Sequence, residues 1–166
     1  RIVAPAPATV EDFCRGRIVA PAPATVEDFC RAHDRNFVAE ILACRRDNGF
    51  GNRSAAVAAS LPWTSGSMLS AAREALANQL GAIAPCSGFH HAGYAYCGGY
   101  CTFNGLMVAA LALLEEDGLA RVAILDCDYH YGNGTDDILE RLRAAGRDVS
   151  GIDHMTYGRT LHAPSQ

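Results

Sequence analysis

The sequence predicts an α/β fold, a parallel sheet packed between helices in three layers, on three observations. The apolar run Arg121-Val122-Ala123-Ile124-Leu125 has the length and composition of a buried strand. A helical pattern follows over 135–145, and a second strand-like run covers 148–152. Short connections join all three. Strand, helix and strand in that order form a βαβ unit, which makes the strands parallel, so 121–126 and 148–152 are expected to be neighbours. The chain has 166 residues, one domain's worth, and is 49% hydrophobic, which is globular rather than disordered.

Residues 1–15 recur unchanged at 17–31, separated by Gly16. Two copies do not make a solenoid, which needs at least three units. The Pro/Ala-rich segment 1–24 is therefore expected to be extended and poorly ordered, with the folded domain at 25–166. Thr25 and Asp28 have the spacing of a capping box for a helix starting near Val26. The helical pattern runs through Phe37, Ile41 and Leu42 to a stop at Asn48-Gly49, and His33-Asp34 divides it. His33 is expected to be structural. A loop is expected over 48–65, with Pro62 and the only tryptophan, Trp63. An Ala-rich helix follows over 67–80, closed by Gly81. A short strand at 82–84 leads into a loop with adjacent histidines. Phe103 to Glu116 reads as an apolar helix ended by Gly118. Gly132-Asn133-Gly134 reads as a turn, with Thr135 as the N-cap of the next helix. The segment 154–166 reads as loop, with His154 and His162 on the surface.

The chemistry concentrates in two places. Asp126, Asp128 and His130 leave the C-terminal end of the first strand, the edge where open α/β sheets bind ligands. Alternate residues of an extended segment point the same way, so the three side chains can converge. Carboxylate oxygen and imidazole nitrogen suit zinc or another divalent ion. A polar loop with solvated acids is the competing reading. The second place is Ser87-Gly88-Phe89-His90-His91-Ala92-Gly93, followed by Gly98-Gly99-Tyr100-Cys101-Thr102-Phe103-Asn104. A histidine pair in a glycine-rich loop, upstream of a DxDxH strand end, favours a site over a solvated loop.

Together the stretches GFHHAGY (88–94), GGYCTFNGLMVAA (98–110) and VAILDCDYHYGNGT (122–135) resemble the zinc-dependent histone deacetylase superfamily, which includes bacterial acetylpolyamine amidohydrolases. The resemblance implies an arginase/deacetylase-like parallel sheet, incomplete at its C-terminus. It implies zinc-dependent hydrolysis of N-acetyl amines such as acetyl-lysine or acetylpolyamine. Carried over by position, His90 and His91 are the catalytic pair, and Asp128 and His130 are zinc ligands. Asp126 orients His90, and Asn133 stands near His91. Tyr100 and Gly99 line the acyl tunnel. A structural potassium ion is expected near Asp126, Asp128 and His130.

The chain departs from the family pattern at Tyr131, where a second histidine is usual, and at Cys86 and Phe89 in the lead-in to the histidine pair. The family's third zinc ligand, a downstream aspartate, and its Gly-Gly-Tyr tyrosine have no counterpart, and Asp153 is the nearest substitute ligand. A truncated form that binds zinc weakly and turns over poorly is therefore expected. Two alternatives stand beside it. One is a noncatalytic remnant or binding module of the same fold. The other is an arginase-like metallohydrolase with two manganese ions, against which the His-His loop argues.

Net charge is −4, all 14 basic residues are arginine, and direct nucleic-acid binding is not expected. Seven cysteines without a paired spacing read as reduced thiols in a cytoplasmic protein. No signal peptide or membrane span is expected. The expected partner is an acetylated amine; oligomeric state is not legible in the sequence.

Overall fold

The computed structural model describes residues 16–116 and 118–160, excluding the side chains of Arg159 and Thr160. The first copy of the repeat, 1–15, and His162 lie outside the described residues. The second copy has no regular secondary structure over 17–24 and then enters helix α1 (Val26–Ala32). Its capping box forms as predicted. Thr25 Oγ1 accepts the Asp28 N–H at 3.1 Å, and the Thr25 N–H donates to Asp28 Oδ2 at 2.7 Å. His33 is extended and ends α1. Asp34 then caps α2 (Arg35–Leu42) by accepting the Phe37 N–H at 2.9 Å. The break at His33-Asp34 is where the sequence places it, but α2 stops at Leu42 rather than near Asn48.

Helix α3 (Ala55–Asn78) corrects two expectations at once. The predicted loop over 48–65 and helix over 67–80 are largely one helix of 24 residues that runs through Pro62. A proline inside a helix removes one backbone donor. Here the proline's own carbonyl gains a partner from outside, the Ala24 N–H at 2.8 Å. Segment 17–24 is thereby laid across α3. Ala22 N–H donates to Ser70 Oγ at 3.1 Å. Gly66 lets the two backbones touch, since a Cβ there would lie 2.2 Å from the Ala22 carbonyl oxygen. The helix is capped by Gln79 in the left-handed region, not by Gly81. No strand forms at 82–84, and Ile83 is exposed.

Helix α4 (Gly105–Glu115) is buried on most faces, as its apolar composition requires, and is capped by Asn104. Phe29, Phe37 and Phe103 form the centre of the core, with ring centroids 4.3 Å apart for Phe29–Phe103 and 5.8 Å for Phe37–Phe103. Arg31 on α1 pairs with Glu115 and Glu116 at the end of α4.

Strands β1 (Val122–Asp126) and β2 (Ile152–Thr156) pair in parallel, with Val122 opposite Ile152 and Asp126 opposite Thr156. Helix α5 (Asn133–Ala144) crosses between them. The βαβ unit is the predicted one, so the chain has the α/β fold. Strand β2 starts at Ile152, where the predicted strand ends. A turn closed by Ser150 N–H on Asp148 Oδ1 at 2.9 Å takes the expected place. The strand therefore extends through His154, which the sequence reading put on a surface loop. Ile124 packs on the core, while Ala123 and Leu125 are exposed. Among the described residues no helix is long and apolar enough to cross a membrane.

Candidate active site

Strand β1 delivers Asp126, and the next residues turn rather than continue extended. Asp126 Oδ1 accepts the Asp128 N–H at 3.0 Å. Asp128 Oδ1 in turn accepts the His130 N–H at 2.7 Å and faces His130 Nδ1 at 2.9 Å. Two successive aspartate turns thus bring the three side chains together, where the sequence reading relied on strand alternation.

The glycines after His130 serve close approach. Gly132 is the N-cap of α5, and Asn133 and Gly134 open the helix. The predicted turn is therefore the helix's first turn, and Thr135 lies inside α5, its Oγ1 accepting from Asn104 Nδ2 at 3.0 Å. The Gly134 and Thr135 N–H groups donate to the His90 carbonyl at 2.8 Å and 3.2 Å. A Cβ on Gly134 would lie 2.4 Å from the carbonyl of Ala92. A Cβ on Gly132 would lie 2.7 Å from Asp126 Oδ2. The start of α5 is in this way fastened to the histidine loop.

That contact assembles the predicted residues in one place. His90 Nδ1 meets Asp126 Oδ2 at 2.7 Å, and both side chains are buried. His91 Nδ1 meets Asn133 Oδ1 at 2.6 Å. The two imidazole centroids are 4.1 Å apart, and the His91 and His130 rings are 5.9 Å apart. His90 Nε2 lies 3.9 Å from Asp128 Oδ1. Gly99, in the left-handed region, lies against the His91 ring, since a Cβ there would be 2.4 Å from Cδ2. Tyr100 stands beside it, exposed, and packs edge-on to Phe50 with centroids 5.8 Å apart.

Asp128 is held below the usual carboxylate range, first by the His130 backbone N–H, then by the His130 side chain and the charge of His90. It is therefore an ionised donor. Among the described residues no third histidine, cysteine or carboxylate completes a group of three around a metal position. Asp153, the expected substitute, is paired with Arg121 at 2.6 Å and does not join the site. The six described cysteines are unpaired. Burial pushes the Cys101 thiol up, away from reactivity.

Three contributors escaped the sequence reading. His154, expected on the surface, has a side chain only 2% exposed. Its Nδ1 is 2.7 Å from Asp136 Oδ1, and its Nε2 is 3.9 Å from Asp126 Oδ2. Strand period through 152–156 was the signal that could have found it. Tyr96 receives a hydrogen bond from Asn133 Nδ2 at 3.0 Å. Phe50 flanks Tyr100. Both aromatics belong to loops, where spacing carries no such signal.

The strand end of this α/β unit joins an Asp-x-Asp-x-His turn to a His–His loop. The histone deacetylase domain model matches residues 5–155, and the chain belongs to that family. It is 61% identical to acetylpolyamine amidohydrolase 2 of Pseudomonas aeruginosa over 49 residues, 30% of this chain and 14% of that protein. It is 55% identical to acetylpolyamine amidohydrolase of Mycoplana ramosa over 49 residues, 30% of this chain and 14% of that protein. It is also 44% identical to histone deacetylase 15 of Arabidopsis thaliana over 52 residues, 31% of this chain and 9% of that protein. The fold matches the HD domain of HDA15 with a TM-score of 0.66 and 21% identity, covering 83% of this chain and 38% of that one.

Proposed function

We propose that this chain carries the histidine pair and two metal ligands of a zinc-dependent hydrolase of N-acetyl amines. One observation carries the reading. Two adjacent imidazoles tilted 48° to one another, each with Nδ1 on an oxygen acceptor, stand beside a carboxylate–imidazole pair. That is a base and acid next to a cation position. Asp128 and His130 would hold zinc, because their donor atoms already face one another and Asp128 stays ionised. Bound zinc supplies an acidified water and a polarised carbonyl. His91 takes the water proton and passes a proton to the departing amine, since an amine leaves poorly as its anion. His90, backed by the buried Asp126, shares the positive charge that develops on the pair. Tyr100 and Gly99 flank His91, where the acyl chain would enter. A potassium ion near Asp126, Asp128 and His130 is part of the same reading, as are a cytoplasmic location and an acetylated-amine partner.

Two donors among the described residues leave a second reading, a noncatalytic module of the same fold. Catalytic zinc sites take three protein ligands. Amine release from N-acetylputrescine and from an acetyl-lysine peptide, measured on the purified chain with added zinc, separates the two. Slow release that His91→Ala lowers by about 10²–10⁴-fold supports catalysis. Zinc uptake with no His91-dependent release supports the module.

A further inference from the structure

We propose that Tyr96 is a positioning residue that sets the tautomer of His91 through Asn133. The inference deepens the hydrolase reading, because only one tautomer leaves His91 able to take a proton at Nε2. An asparagine amide has two faces, an accepting Oδ1 and a donating Nδ2. The face turned toward His91 Nδ1 decides where the neutral ring keeps its proton. Oδ1 is turned toward it at 2.6 Å, so Nδ1 donates and Nε2 retains its lone pair. With the amide reversed, Nδ2 would donate to a bare Nδ1, the ring proton would sit on Nε2, and the base would be blocked. A carboxylate would accept in either rotamer. An asparagine needs a second contact to choose.

Tyr96 supplies that contact. Asn133 Nδ2 donates to Tyr96 Oη at 3.0 Å, and the Tyr96 hydroxyl directs its proton to the Asn133 backbone carbonyl at 3.4 Å. Toward the Asn133 side chain the hydroxyl therefore only accepts, which fixes Nδ2 on the Tyr96 side and Oδ1 on the His91 side. In the reversed amide the hydroxyl would turn its proton to Oδ1 and abandon the carbonyl, so that arrangement has one hydrogen bond fewer. The ring is itself held in place. Gly93 N–H donates to the Tyr96 carbonyl at 3.0 Å, and a Cβ on Gly93 would lie 2.2 Å from Tyr96 Cε1. The tyrosine thus lies on bare backbone two residues from the histidine it governs.

The test needs no turnover. The side-chain nitrogens of the ¹⁵N-histidine-labelled 166-residue chain are read by NMR well above the ordinary imidazole range of about 6.5. His91→Gln assigns the signals. The wild-type His91 is expected as the Nδ1–H tautomer. Tyr96→Phe, which removes one oxygen, should shift the tautomer ratio toward Nε2–H by about fivefold or more, the effect of one net hydrogen bond. Adding Asn133→Asp should restore the Nδ1–H form, because a carboxylate accepts without help. Asn133→Asp alone should hold that form with Tyr96 present, and amide dispersion reports folding of each variant. An unchanged tautomer in Tyr96→Phe, or a double variant that fails to restore it, overturns the proposal. A Tyr96-dependent tautomer in a chain that releases no amine would reject the reaction and leave the positioning role standing.

Discussion

His33 Nε2 accepts the backbone N–H of Asn104 at 2.8 Å, while its Nδ1 donates to the Gly93 carbonyl at 2.9 Å. One neutral imidazole thereby ties the α1–α2 junction to the cap of α4 and to the loop that carries the histidine pair. The arrangement has no room for a second ring proton, because Nε2 is already an acceptor.

Burial pushes the His33 imidazole down to about 4. The unfolded chain binds that proton near the ordinary value of about 6.5. Between those values the unfolded state holds more protons, so stability rises with pH and falls on acidification. The contribution is complete above about 6.5 and is lost as pH drops toward 4, amounting to about 3 kcal/mol. Urea midpoints measured from pH 7.5 to 4.5 should show this decline. His33→Gln should be less stable at neutral pH and lose less on acidification. An equal acid slope in both chains would reject the assignment.

Phe103 touches Phe29, Phe37 and His33, with ring centroids 4.3, 5.8 and 5.3 Å away. It is 2% exposed, and it immediately precedes the α4 cap. Phe103→Ala should cost about 3–5 kcal/mol by transfer and cavity formation together. A loss below about 1 kcal/mol in urea unfolding would mean that the core collapses freely around the gap.

What the sequence disclosed follows from where local chemistry decides structure. The capping box at Thr25–Asp28, the break at His33-Asp34 and the βαβ order all depend on neighbours in the chain, and all were legible. Residues 55–78 were not, because Pro62 signals a break, and only the carbonyl contact with Ala24, from a distant segment, shows how its surroundings use it. The apolar pair Val149 and Ile152 predicts β2 too early in the chain. In the fold Val149 is buried in the preceding turn. That shift concealed His154, whose buried contacts with Asp136 and Asp126 depend on tertiary pairing. At the site, the residue types and their spacing carried the histidine loop and the Asp-x-Asp-x-His turn. Tyr96 and Phe50 reach it through loop conformation, which no periodicity encodes.

Zinc uptake should depend on Asp128 and His130 and be indifferent to Asp153. Titration calorimetry of the chain with zinc should show binding that Asp128→Ala and His130→Ala each remove. Asp153→Ala, which breaks only the pair with Arg121, should leave it unchanged. With two donors among the described residues the affinity should fall well short of a three-ligand site. Loss of binding in Asp153→Ala would show that the carboxylate leaves Arg121 to complete the shell.

Gly134 is the point at which α5 touches the histidine loop, and it offers the sharpest test of how the site is assembled. The absent side chain leaves room for the Ala92 carbonyl, which a Cβ would approach to 2.4 Å, and for the His91 carbonyl carbon at 2.6 Å. These are backbone atoms and cannot swing aside. Gly134→Ala must therefore separate the helix from the loop, stretching the bond from the Gly134 N–H to the His90 carbonyl and moving Asn133 away from His91. Overpacking of this kind costs about 1–3 kcal/mol. A merely structural glycine would show that cost alone. Here the His91 side-chain nitrogen signals should change as well, because the Asn133 contact is lost at the same time. Gly88→Ala is the control, since nothing lies within 4 Å of a Cβ there and the residue sits in the same loop. It should leave both the urea midpoint and the His91 signals where they are. A Gly134→Ala chain with wild-type His91 signals would show that the loop follows the helix and that the pair is set by contacts other than this one.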